Sequence, residues 1–190
     1  MINEEKRIMT SKQLKEWLDY ELKKYKGNKF FGESAILRKH QILLRKTELY
    51  KNTNKKLRFL FYKFRLSRIQ NKYCLHIPIN TCGKGLKVMH VGPMFINGKA
   101  HIGENCSIHV NTAIAARGHG DGVPVLGNGV VVGLGAVILG GVYIADNIAV
   151  GANAVVNKSF YEENIVIAGV PAKKISNNGR LSWNNHSQDQ

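Results

Sequence analysis

Hydrophobic positions along this chain follow two different periods. Up to about residue 72 they recur at three- and four-residue steps, the spacing of one face of a helix. Leu14, Trp17, Leu18 and Leu22 form the first such set, with Thr10 or Ser11 as its cap and Gly27-Asn28 as its end. A second set, about Glu33 to Leu49, has Ile36, Leu37, Leu43 and Leu44 among Arg38, Lys39, Arg45 and Lys46. A third, about Lys55 to Ile69, alternates Leu57, Leu60, Phe61, Phe64 and Leu66 with Arg58, Lys63, Arg65 and Arg68. Three helices are predicted, each with its cations turned to solvent.

Later the period becomes six. Aliphatic residues stand at Ile96, Ile102, Ile108 and Ile114, and again at Leu126, Val132, Ile138, Ile144, Val150 and Val156. The residue after each is small or polar, as at Gly103, Ala115, Gly127 and Gly133. Four residues after the aliphatic comes another compact side chain, as at Ala100, Cys106, Thr112, Ala136 and Ala154. Ten hexads in phase predict a mainly β solenoid of short parallel strands on three flat faces, one hexad per face. Glycine or asparagine at the corners tolerates positive φ. A coil cannot bury its own apolar face, so stacking of coils supplies the stability.

Charge and composition sharpen the division. Residues 1–72 hold 20 Lys+Arg against 7 Asp+Glu, a balance of +13; residues 73–190 hold 8 against 6. Of 19 glycines, 17 follow residue 73. The expected organisation is a basic α-helical segment over 1–72, a β-solenoid over 73–162 and a tail over 163–190. No nucleic-acid-binding pattern accompanies the charge, so nucleic acid is not expected as a partner. An anionic or membrane-surface contact through residues 1–72 is the functional alternative to a merely solvated face. MINEEKRIMT lacks the apolar core of a signal peptide, and no run reaches the roughly 18 apolar residues of a membrane span. A cytoplasmic chain, at most peripheral to the membrane, is expected. Cys74, Cys82 and Cys106 form no C-x-x-C pair, which argues against a disulfide scaffold or a cysteine-rich zinc site.

The hexads I-G-E-N-C-S, V-G-L-G-A-V and V-G-A-N-A-V resemble those of the left-handed β-helix, hexapeptide-repeat acyltransferases. The tail I-A-G-V-P-A-K-K, Ile167 to Lys174, resembles the segment that closes over coenzyme A in those enzymes. Within the family the likeness is to the serine O-acetyltransferase branch and its relatives in polysaccharide gene clusters, over about residues 75–175. It implies a left-handed parallel β-helix with an N-terminal helical segment and acetyl-CoA as cosubstrate. The γ-type carbonic anhydrases share this solenoid and hold zinc with histidines that include an H-x4-H pair; none occurs here, so no metal is expected.

Acyl transfer to a hydroxyl needs a base at the acceptor and a donor for the developing oxyanion. Histidine is the usual base, since its ordinary pKa lies near neutrality. His90 lies six residues before Ile96, at a repeat position expected to be aliphatic, and local rules fail most informatively at functional sites. The resemblance points to the same residue, because the serine enzymes carry their catalytic histidine in a segment like G-K-G-L-K-V-M-H, here Gly83 to His90. Two departures accompany it. The partner aspartate of those enzymes falls here on Leu75, and a second active-site histidine falls on Val123 before Pro124. A backbone carbonyl, Glu104 or a residue of another subunit must then orient His90.

Residues 115–125, AARGHGDGVPV, interrupt the repeat, with glycine at position 120 where an aliphatic is due. They predict a loop that shapes an acceptor pocket from Arg117, His119 and Asp121, with His109 from a neighbouring corner. A pantetheine arm lying against small side chains suggests Ala116, Gly133, Gly135 and Ala152 as cofactor-lining positions, with Lys173 and Lys174 toward the phosphates. The expected activity is O-acetylation of a saccharide hydroxyl in surface polysaccharide synthesis. Alternatives are serine O-acetylation, N-acetylation of a nucleotide sugar, and a solenoid scaffold without catalysis. Flat-faced prisms around an axis predict a homotrimer with shared sites.

Overall fold

A computed structural model of the chain describes residues 7–118, 120 and 122–181. Among these residues three helices, α1 (Ser11–Leu22), α2 (Gly32–Asn52) and α3 (Lys56–Tyr73), precede fourteen short strands from Leu75–His76 to Lys173–Ser176. Helix α1 begins at a capping box. The Gln13 N–H donates to Thr10 Oγ1 at 3.1 Å, and the Thr10 N–H donates back to Gln13 Oε1 at 3.0 Å. Helix α3 ends at Cys74, whose φ of 55° turns the chain directly into the first coil.

Helix α2 lies between α1 and α3 and buries Leu37, Leu43, Leu44 and Leu49. It also buries Arg45 completely, although the sequence pattern put that residue on a solvated face. The guanidinium is paired on every side. It donates to Glu21 Oε1 at 2.8 Å, to Glu48 Oε2 at 2.9 Å, and to the carbonyls of Cys82 and Gly83 at 2.9 and 2.7 Å. Glu21 in turn accepts the Gly85 N–H at 2.8 Å. A charge survives burial only when paired and hydrogen-bonded in this way, and here the pairing fastens α1 and α2 to the first coil. Helix α3 departs from expectation in the other direction. It faces the core with Leu66 and Ile69 and leaves Leu57, Leu60, Phe61 and Phe64 exposed.

The strands form three faces. The first stacks Leu75–His76, Met94–Ile96, Thr112–Ala115, Val137–Leu139 and Val155–Val156. The second stacks His101–Ile102, Val125–Leu126 and Tyr143–Ile144. The third runs from Lys87–Val88 through Ser107–Ile108, Val131–Val132 and Ala149–Val150 to Val166–Ala168, closed by antiparallel Lys173–Ser176. Register places Val88, Ile108, Val132, Val150 and Ile167 in one interior column, all fully buried. Each contributes roughly 1.5–3 kcal/mol of transfer free energy. The solenoid therefore continues past residue 162, the boundary expected from the sequence, to include Val166–Ala168. Beyond it Arg180 returns along the third face and donates to the carbonyls of Asn105 and Gly129 at 2.5 and 3.0 Å.

The corners separate two roles that the sequence pattern had merged. The glycine directly after the inward aliphatic is set by stacking: a Cβ on Gly133 would lie 2.6 Å from the Val150 carbonyl oxygen. Left-handed backbone comes two residues later, at Gly135 (φ 70°), Asn105 (φ 57°), Asn111 (φ 61°) and Asn153 (φ 55°).

Coil lengths show where the repeat is broken. Val132 and Val150 are one regular coil of 18 residues apart in register. Between Ile108 and Val132 six residues are added, around 115–125. Between Val88 and Ile108 two are added, in the corner that carries His90. That insertion shifts the phase, so the interior position is Val88. His90 stands at the corner, half-exposed, instead of at an inward aliphatic position.

Candidate active site

Three side chains from three distant stretches meet at this corner. His90 occupies the widened turn after Lys87–Val88. His109 follows Ile108 on the next coil, and the two imidazole centroids lie 6.0 Å apart with a tilt of 51°. Glu33 comes from the first turn of α2, where a carboxylate complements the helix dipole. Its Oε1 accepts the Val91 N–H at 2.7 Å, and its Oε2 lies 3.3 Å from His90 Nδ1. With Nδ1–H directed at Glu33, His90 Nε2 keeps its lone pair and can take a proton.

Burial lowers the pKa of the half-buried His109, and the neighbouring His90 and Lys87 lower it further. His109 is thereby kept neutral at neutral pH, next to the more exposed His90. The backbone carbonyl of His109 accepts the Thr112 hydroxyl at 2.9 Å, which secures the turn. Neutral His109 offers a hydrogen-bond donor or acceptor without adding a charge beside the base.

Glu33 was not singled out by the sequence reading, which looked to a carbonyl, Glu104 or a second subunit for this role. A signal was present: one acid at the start of a helix otherwise dense in Lys and Arg. Leu75, at the position expected from the resemblance to hold aspartate, is fully buried inside the first coil and cannot serve His90. Val123 is half-buried and precedes a buried Pro124. In the inserted loop Arg117 is exposed, while His119 and Asp121 lie outside the described residues.

Of the expected cofactor-lining positions, Ala116 is half-buried and Ala152 exposed, both at corners. Gly133 and Gly135 face the adjacent coil, where a Cβ on Gly135 would lie 2.1 Å from Asn153 Oδ1. Their size serves stacking. Lys173 is exposed, and Lys174 pairs with Glu162 at 2.5 Å, a surface contact weak enough to exchange for an anionic ligand. Ala116 follows the first-face strand Thr112–Ala115, whereas Ala152 lies between the third-face strand Ala149–Val150 and the first-face strand Val155–Val156, so one chain does not bring the two alanines to the same corner. Among the described residues no group of three His, Cys, Asp or Glu could hold a metal ion.

No family model matches the chain. A serine acetyltransferase from Synechococcus elongatus is 32% identical over 126 residues, 65% of this chain and 51% of the relative. A solved serine acetyltransferase from Brucella abortus superposes with a TM-score of 0.69 at 24% identity, over 90% of this chain and 72% of that one. A structure of serine acetyltransferase from that organism in complex with coenzyme A gives 0.68 at 24% identity, over 87% and 69%. The chain spans about half the length of the Synechococcus relative. Repeat, coil and sequence together make it a hexapeptide-repeat protein with the left-handed β-helix fold, similar to the serine acetyltransferase branch of the acyltransferases built on that fold.

Proposed function

We propose that the chain is an acetyl-CoA-dependent O-acetyltransferase in which His90 is the general base. The observation that carries this reading is the His90–Glu33 contact at a corner widened by two residues. His90 Nε2 takes the acceptor hydroxyl proton while the oxygen bonds to the thioester carbonyl carbon. Collapse of the tetrahedral adduct breaks the carbon–sulfur bond, and His90 returns the proton to the departing thiolate. Glu33 holds the ring and stabilises the imidazolium that forms between the two transfers. Ala116, Ala152, Lys173 and Lys174 would line the acyl donor across a site shared between two chains. Acyl-CoA use is supported by the similarity to serine acetyltransferases and by the coenzyme A complex of one structural neighbour.

L-serine is the acceptor that these similarities support, ahead of the saccharide expected from the sequence. A saccharide remains as a second reading because Leu75 and Val123 replace polar residues of the serine enzymes with apolar ones. Thiol release from acetyl-CoA, followed over L-serine, monosaccharides and nucleotide sugars, separates the two. Rapid O-acetylserine formation is expected, and turnover confined to sugars would select the second reading. A base-stable product would mean an amide and N-acetylation. Absence of coenzyme A binding in calorimetry would leave a scaffold. His90→Ala is expected to lower kcat by at least about 100-fold, the usual effect of removing a general base. Retention of activity within about threefold would remove His90 from the mechanism. The working assembly we propose is a homotrimer with each site shared between two chains.

A further inference from the structure

Helix α3 carries an exposed apolar stripe. Leu57, Leu60, Phe61 and Phe64 are 85%, 61%, 55% and 62% exposed, and their spacing puts them on one side of the helix. The opposite side holds the buried Leu66 and Ile69. Phe30 and Phe31, between α1 and α2, are exposed to 82% and 75%. Phe64 joins the two sets, since it lines with Phe30 and Phe31 a groove of about 1050 Å³ between α2 and α3. That groove carries seven cationic side chains, including Lys39, Lys46, Arg65 and Arg68, and no carboxylate. Arg65 and Arg68 lie 5.5 and 5.8 Å from the Phe61 and Phe64 ring centroids, so cation and apolar surface are presented together.

We infer that this face docks on the surface of an anionic lipid bilayer. An apolar stripe flanked by Lys and Arg on a short helix is the pattern that lies in the interface plane. No helix among the described residues is long and apolar enough to cross a membrane, so the contact is peripheral. Charge complementarity selects this occupant over a second copy of the chain. Two copies meeting here would oppose cationic surfaces drawn from a segment with a balance of +13. A nucleic acid would satisfy the cations but leave four large apolar side chains of α3 without an apolar partner. Glu33 follows Phe31 by two residues, so the docked face borders the corner of His90. The inference goes beyond the proposed activity and does not depend on which acceptor is used.

The test is co-sedimentation of the full chain with vesicles of phosphatidylcholine alone and of phosphatidylcholine with about one-third phosphatidylglycerol. Binding to the anionic vesicles is expected to be at least about tenfold tighter and to weaken with added salt. The variant Leu60→Ser/Phe61→Ser/Phe64→Ser keeps every charge and alters only exposed side chains. It is expected to melt as the parent does and to lose at least about tenfold in vesicle binding. Equal or absent binding to the two vesicle types would overturn the inference, as would a serine variant that binds like the parent. Self-association abolished by the serine variant, without vesicle binding, would make the face an interface between copies. Duplex DNA binding unaffected by the serine variant, again without vesicle binding, would make it a nucleic-acid surface.

Discussion

Glu33 and His90 are 57 residues apart in sequence and within hydrogen-bonding distance in the fold. Both are about half-exposed, so their contact contributes little to stability and its value lies in orientation. Glu33→Gln keeps an acceptor oxygen but removes the charge that stabilises the imidazolium. The expected result is a fall in kcat of roughly 10- to 100-fold with KM for acetyl-CoA and thermal melting unchanged, partly restored by Glu33→Asp. A parallel rise in KM, or a lower melting temperature, would give Glu33 a structural role instead. His40 is a second histidine with a distinct signature. It is fully buried in α2, neither ring nitrogen has a partner among the described residues, and burial, aided by the Arg45 charge, lowers its pKa to about 4. Between this value and the ordinary 6.5, the unfolded chain binds a proton that the folded chain refuses. Stability therefore falls as pH falls through that window, by about 2 kcal/mol between pH 7 and pH 5 from this residue. Urea unfolding at the two pH values should show that His40→Leu is less acid-sensitive than the parent by this amount.

At the level of elements, the joint between helices and solenoid rests on Arg45. Its carboxylate partners Glu21 and Glu48 come from α1 and α2, and its carbonyl partners from the first coil. Arg45→Met would leave two buried carboxylates without their cation, which costs about 3–5 kcal/mol. The expected outcome is a large drop in the unfolding midpoint, partly recovered when Glu21→Gln and Glu48→Gln are added. An unchanged midpoint would mean that α1 and α2 are held by apolar packing alone. Helical periodicity made the three helices legible, and the Thr10-Ser11 pair marked the start of α1, with the structure selecting Thr10 as the cap. It did not reveal which helical face would be covered. In α3 the more continuous apolar stripe is the exposed one, because the solenoid meets the face of Leu66 and Ile69.

As a whole, the molecule is a stack of coils with helices docked at the end where it begins. Phe95 on the first face is 45% exposed, and Ala113, Val137 and Val155 above it are half-buried. An outward column of this kind suits a partner prism, in keeping with the proposed trimer. Sedimentation equilibrium is expected to give three times the 21.2 kDa of one chain. A monomer mass at concentrations where turnover is intact would exclude shared sites.

Sequence periodicity was sufficient for the solenoid because each hexad buries the same position against its copies in the next coil, as with Ile108, Val132 and Val150. Identical local rules repeated ten times cannot be mistaken for a sheet of irregular spacing. The same repetition misled at His90, since a two-residue insertion changes phase without changing composition. Counting back from Ile96 assigned an inward position to a corner residue. Whether a residue faces in or out is set by the register with the coil above, and Val88 opposite Ile108 fixes it. The partner of His90 was likewise beyond sequence reasoning. Glu33 reaches it only because Arg45, Glu21 and the first coil lock α2 in place, a long-range arrangement that no local spacing encodes.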